Sequence, residues 1–178
     1  MGQVDQRVVF INGGFGVGKS SVLDHLGDLM ADHGTPFSLF DVDWFHRSWP
    51  PAAGDAANVT VEAANLAAVW SNYQKAGPRV PIVAGVLRTS EDRNRYAQAF
   101  DLPIWSVRLR ATPQVTEERL RGRCDETRDA ALQWHLDRHR AVAEELEVAD
   151  LDDLVIDTDH VHPRQVARSI AQGAGLLP

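Results

Sequence analysis

Gly13-Gly14-Phe15-Gly16-Val17-Gly18-Lys19-Ser20 decides the reading of this chain. The eight residues fit G-x-x-x-x-G-K-[ST], the pattern of a phosphate-cradling loop. Their flanks agree with it. Val8-Val9-Phe10-Ile11 ahead of the loop is a short apolar run that reads as a buried strand. Behind it, Val22, Leu23, Leu26, Leu29 and Met30 recur at helical spacing, so the loop joins a strand to a helix.

That context supplies the physics. Glycines let backbone N–H groups turn inward and bring no side chain into the cradle. The helix then opens at the phosphate, where its unpaired N–H groups and positive dipole end favour an anion. The backbone of Gly13, Gly14, Phe15, Gly16, Val17, Gly18, Lys19 and Ser20, with Ser21 in the opening turn, is the expected phosphate-binding set. Lys19 should reach the β- and γ-phosphates of ATP, and the Ser20 hydroxyl should ligate Mg²⁺.

Length and composition bound the rest. A chain of 178 residues suits one domain with a real core, so residues 1–178 are read as a single unit. A hydrophobic fraction of 44% with 24% charged residues is that of an ordinary soluble globule. The net charge of −7 argues against a general nucleic-acid-binding surface. Lys19 and Lys75 are the only lysines, so the cationic side chains are mainly arginines, which grip phosphate or carboxylate bidentately. Cys124 stands alone, which excludes an intramolecular disulfide. No signal-peptide core or membrane-length run is present, and the expected compartment is the cytoplasm.

Strands and helices alternate along the chain. Phe37 to Phe40 reads as the second strand and Val80 to Leu87 as the third. Pro103 to Leu109 is the fourth, and Leu154-Val155-Ile156 the fifth. Helices are expected at about Thr60 to Ala76, Arg93 to Phe100, Gln114 to Arg121, Asp129 to Ala149 and Pro163 to Ala171. In the helix from Asp129, the expected core stripe is Leu132, Leu136, Ala143 and Leu146. Such alternation means a parallel sheet covered on both faces, with ligands beyond the carboxyl ends of its strands.

Further candidates collect at that edge. Asp41-Val42-Asp43 lies where the second strand opens into loop, so both carboxylates can face one cleft. One could hold Mg²⁺ and the other could take the proton of an acceptor hydroxyl. The third strand ends at Arg88 instead of an acid, which disfavours motor and switch NTPases and suits compact kinases. Arg88 could clamp an anionic acceptor or a transferring phosphoryl group. Arg119, Arg121, Arg123 and Arg128 cluster between two helices, where a lid spanning about residues 122–135 would bring guanidiniums onto the phosphates. His135 and Arg138 are weaker lid candidates. Trp44 and Trp49 are expected to line an acceptor pocket, whereas Trp70, at helical spacing, reads as core.

The whole chain resembles the small P-loop kinases grouped around adenylate, shikimate and gluconate kinases. Phe40-Asp41-Val42-Asp43 is similar to the D-x-D motif of shikimate kinases, where the first acid serves the metal and the second contacts the acceptor. A single Asp in that region is the base proposed for chloramphenicol phosphotransferase. Arg119 and Arg123 match the R-x-x-x-R lid entry of adenylate kinases, in which one arginine lies against adenine and the other meets phosphate. Ile11 to Lys19, Val107 to Arg123 and Ile156-Asp157-Thr158 look closest to the tunicamycin-resistance ATP-binding proteins.

The expectation is therefore a three-layer α/β/α P-loop NTPase fold with a five-stranded parallel sheet and a small lid. Its expected activity is a kinase transferring the γ-phosphoryl group of ATP, with Mg²⁺, to a small-molecule hydroxyl. The expected catalytic residues are Asp43, Lys19, Arg88 and Arg123, with Ser20 and Asp41 on the metal. Arg119, Arg123, Asp157 and Thr158 complete the nucleotide site. A nucleotide-sequestering resistance protein with slow ATPase activity, or a nucleoside or nucleotide kinase, is the alternative. Nucleic-acid and membrane partners are not expected, and a homodimer is left open.

Overall fold

The computed structural model describes residues 6–123 and 129–177, the side chains of Arg123 and Asp129 excepted. Five strands form one parallel sheet: β1 (Val8–Asn12), β2 (Phe37–Asp41), β3 (Val80–Gly85), β4 (Ile104–Arg110) and β5 (Leu154–Asp157). Among the described residues six helices connect and flank them: α1 (Lys19–Asp32), α2 (Val59–Gln74), α3 (Ser90–Phe100), α4 (Pro113–Arg123), α5 (Asp129–Ala149) and α6 (Pro163–Gly173). The strand order is β2-β3-β1-β4-β5. The strand carrying the phosphate-binding loop is thus central, and every strand delivers its carboxyl end to one edge.

Strand β1 shows why its apolar run is continuous. Val8 to Ile11 are all 0% exposed, because both sheet faces are covered. Val9 and Ile11 enter the core made with Leu23, Leu26 and Met30 of α1 and Ile170 of α6. Val8 and Phe10, pointing the other way, join Phe40, Leu66 and Trp70 of the opposite face with Tyr96 and Phe100 of α3. Each fully buried side chain of this size contributes about 1.5–3 kcal/mol. Trp70 is in this core, as its spacing implies, and its indole N–H donates to the Phe100 carbonyl at 3.1 Å.

The structure departs from the sequence reading at three places. β3 stops at Gly85, because Leu87 is drawn out of register: its N–H donates to the Asn12 side chain at 2.9 Å. In α5 the inward stripe contains His139, Val142 and Leu146, while Ala143 is exposed. Positions 139, 142 and 146 recur at i, i+3 and i+7, so that face of the helix turns inward and Ala143 falls beside it. Finally, residues 129–135 of the expected lid form the opening turns of α5, and Cys124 to Arg128 lie outside the described residues. No helix among the described residues is long and apolar enough to cross a membrane.

Candidate functional site

The loop between β1 and α1 is set by the strand end beneath it. Asn12 is fully buried and its amide makes three hydrogen bonds: it accepts from Leu87 N and donates to Asp152 Oδ1, each at 2.9 Å, and it donates to the Leu87 carbonyl at 3.4 Å. Asp152 also accepts from the Ser106 hydroxyl at 2.6 Å, so three strands and the β5 approach are tied together just before Gly13. Gly13 has φ 153, and a Cβ there would stand 2.8 Å from Val17 Cγ2 and 2.9 Å from the Leu109 carbonyl oxygen. Only glycine lets the loop close at that point.

Helix α1 starts without a side-chain cap and without an acid in its first turn. Its leading N–H groups and positive dipole end therefore face the loop uncompensated, the arrangement that receives an anion. Lys19 Nζ donates to the carbonyls of Gly13 and Gly14, at 2.8 Å each, and so lies across the cradle. A phosphate oxygen entering the loop would meet that ammonium.

Strand β2 brings the acids to the same place. Ser20 Oγ donates to Asp41 Oδ2 at 2.8 Å, joining the first turn of α1 to the end of β2. Asp41 Oδ1 accepts from the Asp43 N–H at 3.2 Å, capping the 3₁₀ turn Val42–Trp44. Asp43 is left exposed at the lip. A hydroxyl and a carboxylate at this separation are hard oxygen donors suited to Mg²⁺. Among the described residues no group of three or more His, Cys, Asp or Glu could hold a metal.

Arg119 of α4 reaches over the back of the loop. It donates to the Val17 carbonyl at 3.2 Å, to Thr158 Oγ1 at 3.0 Å and to the Thr158 carbonyl at 2.7 Å. Thr158 is buried and donates in turn to the Val17 carbonyl at 3.1 Å. The lid-entry arginine, the phosphate loop and the β5 exit thus meet. Asp157 turns aside: Arg110 grips it bidentately at 2.6 and 3.1 Å and holds its carboxyl below the usual range. The Arg123 side chain lies outside the described residues. Arg121 pairs with Glu117, whose carboxyl is held low first by its bond to Arg140.

Other expected residues sit apart. Arg88 is half-exposed and 3.6 Å from Glu145 of α5. Trp44 and Trp49 are 71% and 89% exposed; Arg47 stacks on Trp44 at 4.8 Å. A cleft of about 370 Å³ runs between β4, α4 and α5 and touches Gly14, Phe15 and Val17, but not Lys19, Ser20, Asp41 or Asp43. It flanks the phosphate loop and does not overlie it.

Two features escaped the sequence reading. Phe15, inside the loop motif, packs at 4.7 Å on His135 and 5.3 Å on Trp134, so α5 leans on the loop through rings. Its aromatic character in a glycine-rich loop was the available signal. Glu62, buried in α2, bonds both His46 and Tyr96. A lone acid in an apolar helix start was the clue there.

The family model described as chloramphenicol phosphotransferase-like protein matches residues 6–174. No curated protein is a significant match in sequence. Among solved structures, the chain is similar to an unliganded sugar kinase from Janibacter sp. HTCC2649. Identity there is 20%, coverage 97% of this chain and 96% of that one, and the TM-score 0.65. The Deinococcus radiodurans tunicamycin resistance protein gives 23% identity, 97% coverage of both chains and a TM-score of 0.63. A gluconokinase from Sinorhizobium meliloti 1021 gives 18% identity, 98% and 94% coverage and 0.62. At these identities the likeness speaks for a shared three-layer α/β/α fold.

Proposed function

Because the chain belongs to the chloramphenicol phosphotransferase-like protein family and has the fold of the small P-loop kinases, we propose that it is an ATP- and Mg²⁺-dependent phosphotransferase acting on a small-molecule hydroxyl. One observation carries the reading. The uncapped start of α1, the Ser20–Asp41 contact at 2.8 Å and the exposed Asp43 converge on one sheet edge.

The loop amides and Lys19 would hold the β- and γ-phosphates, with Ser20 and Asp41 as the metal's protein ligands. Mg²⁺, when bound, neutralises charge on the phosphates. Asp43 would take the acceptor's hydroxyl proton as that oxygen forms its bond to the γ-phosphorus. The bond to the β,γ-bridging oxygen breaks, and its electron pair leaves with ADP. Arg119 and Thr158 would border the base, with Asp157 supporting them through Arg110. Arg123 would offset charge on the moving phosphoryl group; Arg88 could share that work only by leaving Glu145.

The test mixes the protein with MgATP and an acceptor panel of chloramphenicol, tunicamycin, a neutral sugar, gluconate, shikimate and nucleosides, following ADP and the phosphorylated product. Acceptor-dependent ADP release is expected. Asp43→Asn should lower turnover by about 10²–10⁴-fold with ATP affinity unchanged. Tight ATP or drug binding without product would establish sequestration instead, and an unchanged rate in Asp43→Asn would remove Asp43 as base.

A further inference from the structure

The loop that carries Asp43 is clamped by one face of α2. Asn58, Glu62 and Asn65 lie at helical spacing, and all three bond that loop. Asn58 donates to the carbonyls of His46 and Ser48 at 2.8 and 2.9 Å, and Asn65 to the Phe45 carbonyl at 2.8 Å. Glu62 holds the His46 ring, with Nδ1 to Oε2 at 2.8 Å. The Glu62 residue is 5% exposed, and its other oxygen accepts from Tyr96 Oη at 2.5 Å. Burial and the Glu62 charge push the Tyr96 phenol far up, so it stays a donor.

This arrangement settles the histidine's tautomer. A carboxylate only accepts, so the proton of the 2.8 Å contact resides on Nδ1 of His46. In the neutral ring this tautomer leaves Nε2 as the hydrogen-bond-accepting nitrogen. It has no partner among the described residues, and the His46 side chain is 37% exposed while Nδ1 is turned inward. Asp43 and His46 are three residues apart on the same loop, Asp43 within the 3₁₀ turn Val42–Trp44 and His46 just beyond it. An aspartate and an outward Nε2 thus form two proton-accepting groups on one pinned loop at the sheet edge.

We infer that His46 contacts the acceptor, with Nε2 taking a hydrogen bond from a second hydroxyl beside the one Asp43 deprotonates, so that the site selects polyhydroxylated acceptors. The inference rests on the kinase reading above. Glu62 is the positioning residue. Exchange for Gln keeps its shape but offers an amide donor to Nδ1, which shifts the imidazole proton to Nε2 and inverts what the ring presents.

The experiment measures MgATP-dependent phosphorylation of glycerol, ribitol and glucose against 1-propanol and 2-propanol, with wild type, His46→Ala, His46→Gln and Glu62→Gln. Wild type should favour the polyols in kcat/KM. His46→Ala and Glu62→Gln should reduce that preference by about tenfold, mainly through KM, leaving monohydroxylic turnover and the KM for MgATP unchanged. His46→Gln, which keeps an acceptor atom, should restore part of it. ¹⁵N spectra of the imidazole should show Nδ1 protonated in wild type and Nε2 protonated in Glu62→Gln, a change that loosening of the loop would not produce. A wild type without polyol preference overturns the inference, as does a preference that survives both variants. Transfer to the panel compounds in those same variants would leave the kinase reading standing; its absence in wild type would remove both.

Discussion

Gly13→Ala is the substitution through which the loop geometry is most open to measurement. Two costs add at this position. The backbone at φ 153 lies in a region L-residues rarely enter, which costs about 1–3 kcal/mol. The new Cβ would also meet Val17 Cγ2 at 2.8 Å and the Leu109 carbonyl at 2.9 Å. Neither neighbour yields easily: one is a stiff β-branched side chain, the other is backbone of a central strand. Overpacking of this kind costs about 1–3 kcal/mol, giving a total of about 2–6. Gly34→Ala is the control, because Gly34 has φ 67 but nothing within 4 Å of an added Cβ. It should cost only the left-handed strain, about 1–2 kcal/mol. Urea unfolding of both variants measures the difference, and MgATP titration should show affinity lost by at least about tenfold in Gly13→Ala alone. Equal destabilisation in the two variants, or full affinity in Gly13→Ala, would refute the claim that this close approach shapes the cradle.

Arg119→Ala removes three hydrogen bonds that join α4 to Val17 and Thr158. It should weaken MgATP binding and lower stability by about 1.5–3 kcal/mol, read by calorimetry and by urea unfolding; unaltered values would show Arg119 idle. The Arg110–Asp157 pair gives a pH dependence of known sign. The Arg110 hydrogen bond lowers the Asp157 carboxyl, so its contribution is present above the ordinary aspartate value and is lost as pH falls through the lowered one. Both side chains are at least half exposed, so screening holds the effect to about 1 kcal/mol or less. Wild type should exceed Asp157→Asn by that amount at neutral pH, and the gap should close as pH falls below the ordinary aspartate value. A gap that widens on acidification would contradict the assignment.

How much of this was legible in the sequence follows from the range of each interaction. The loop motif and its flanking strand and helix are local, so β1 and α1 could be read from them, and the parallel five-stranded sheet from the alternation of strands and helices along the chain. Asp41 could be placed beside the loop from its position at a strand end, although its 2.8 Å contact with Ser20 required the sheet to form. Ala143 was misplaced because helical spacing alone does not fix which face turns inward, and the elements the helix packs against are distant in sequence. Trp44 and Trp49 were assigned to a pocket because aromatic residues in loops invite it, yet their surfaces lie in solvent. Glu62, His46 and Tyr96 were invisible as a unit, since three elements must meet before they touch.

Calorimetric titration of MgATP into the protein tests the central claim most directly. The account predicts saturable binding of one nucleotide per chain, dependent on Mg²⁺ and abolished or strongly weakened in Lys19→Ala and Ser20→Ala, while both variants remain folded. Absence of heat in the wild type, or binding that survives loss of Lys19, would contradict it.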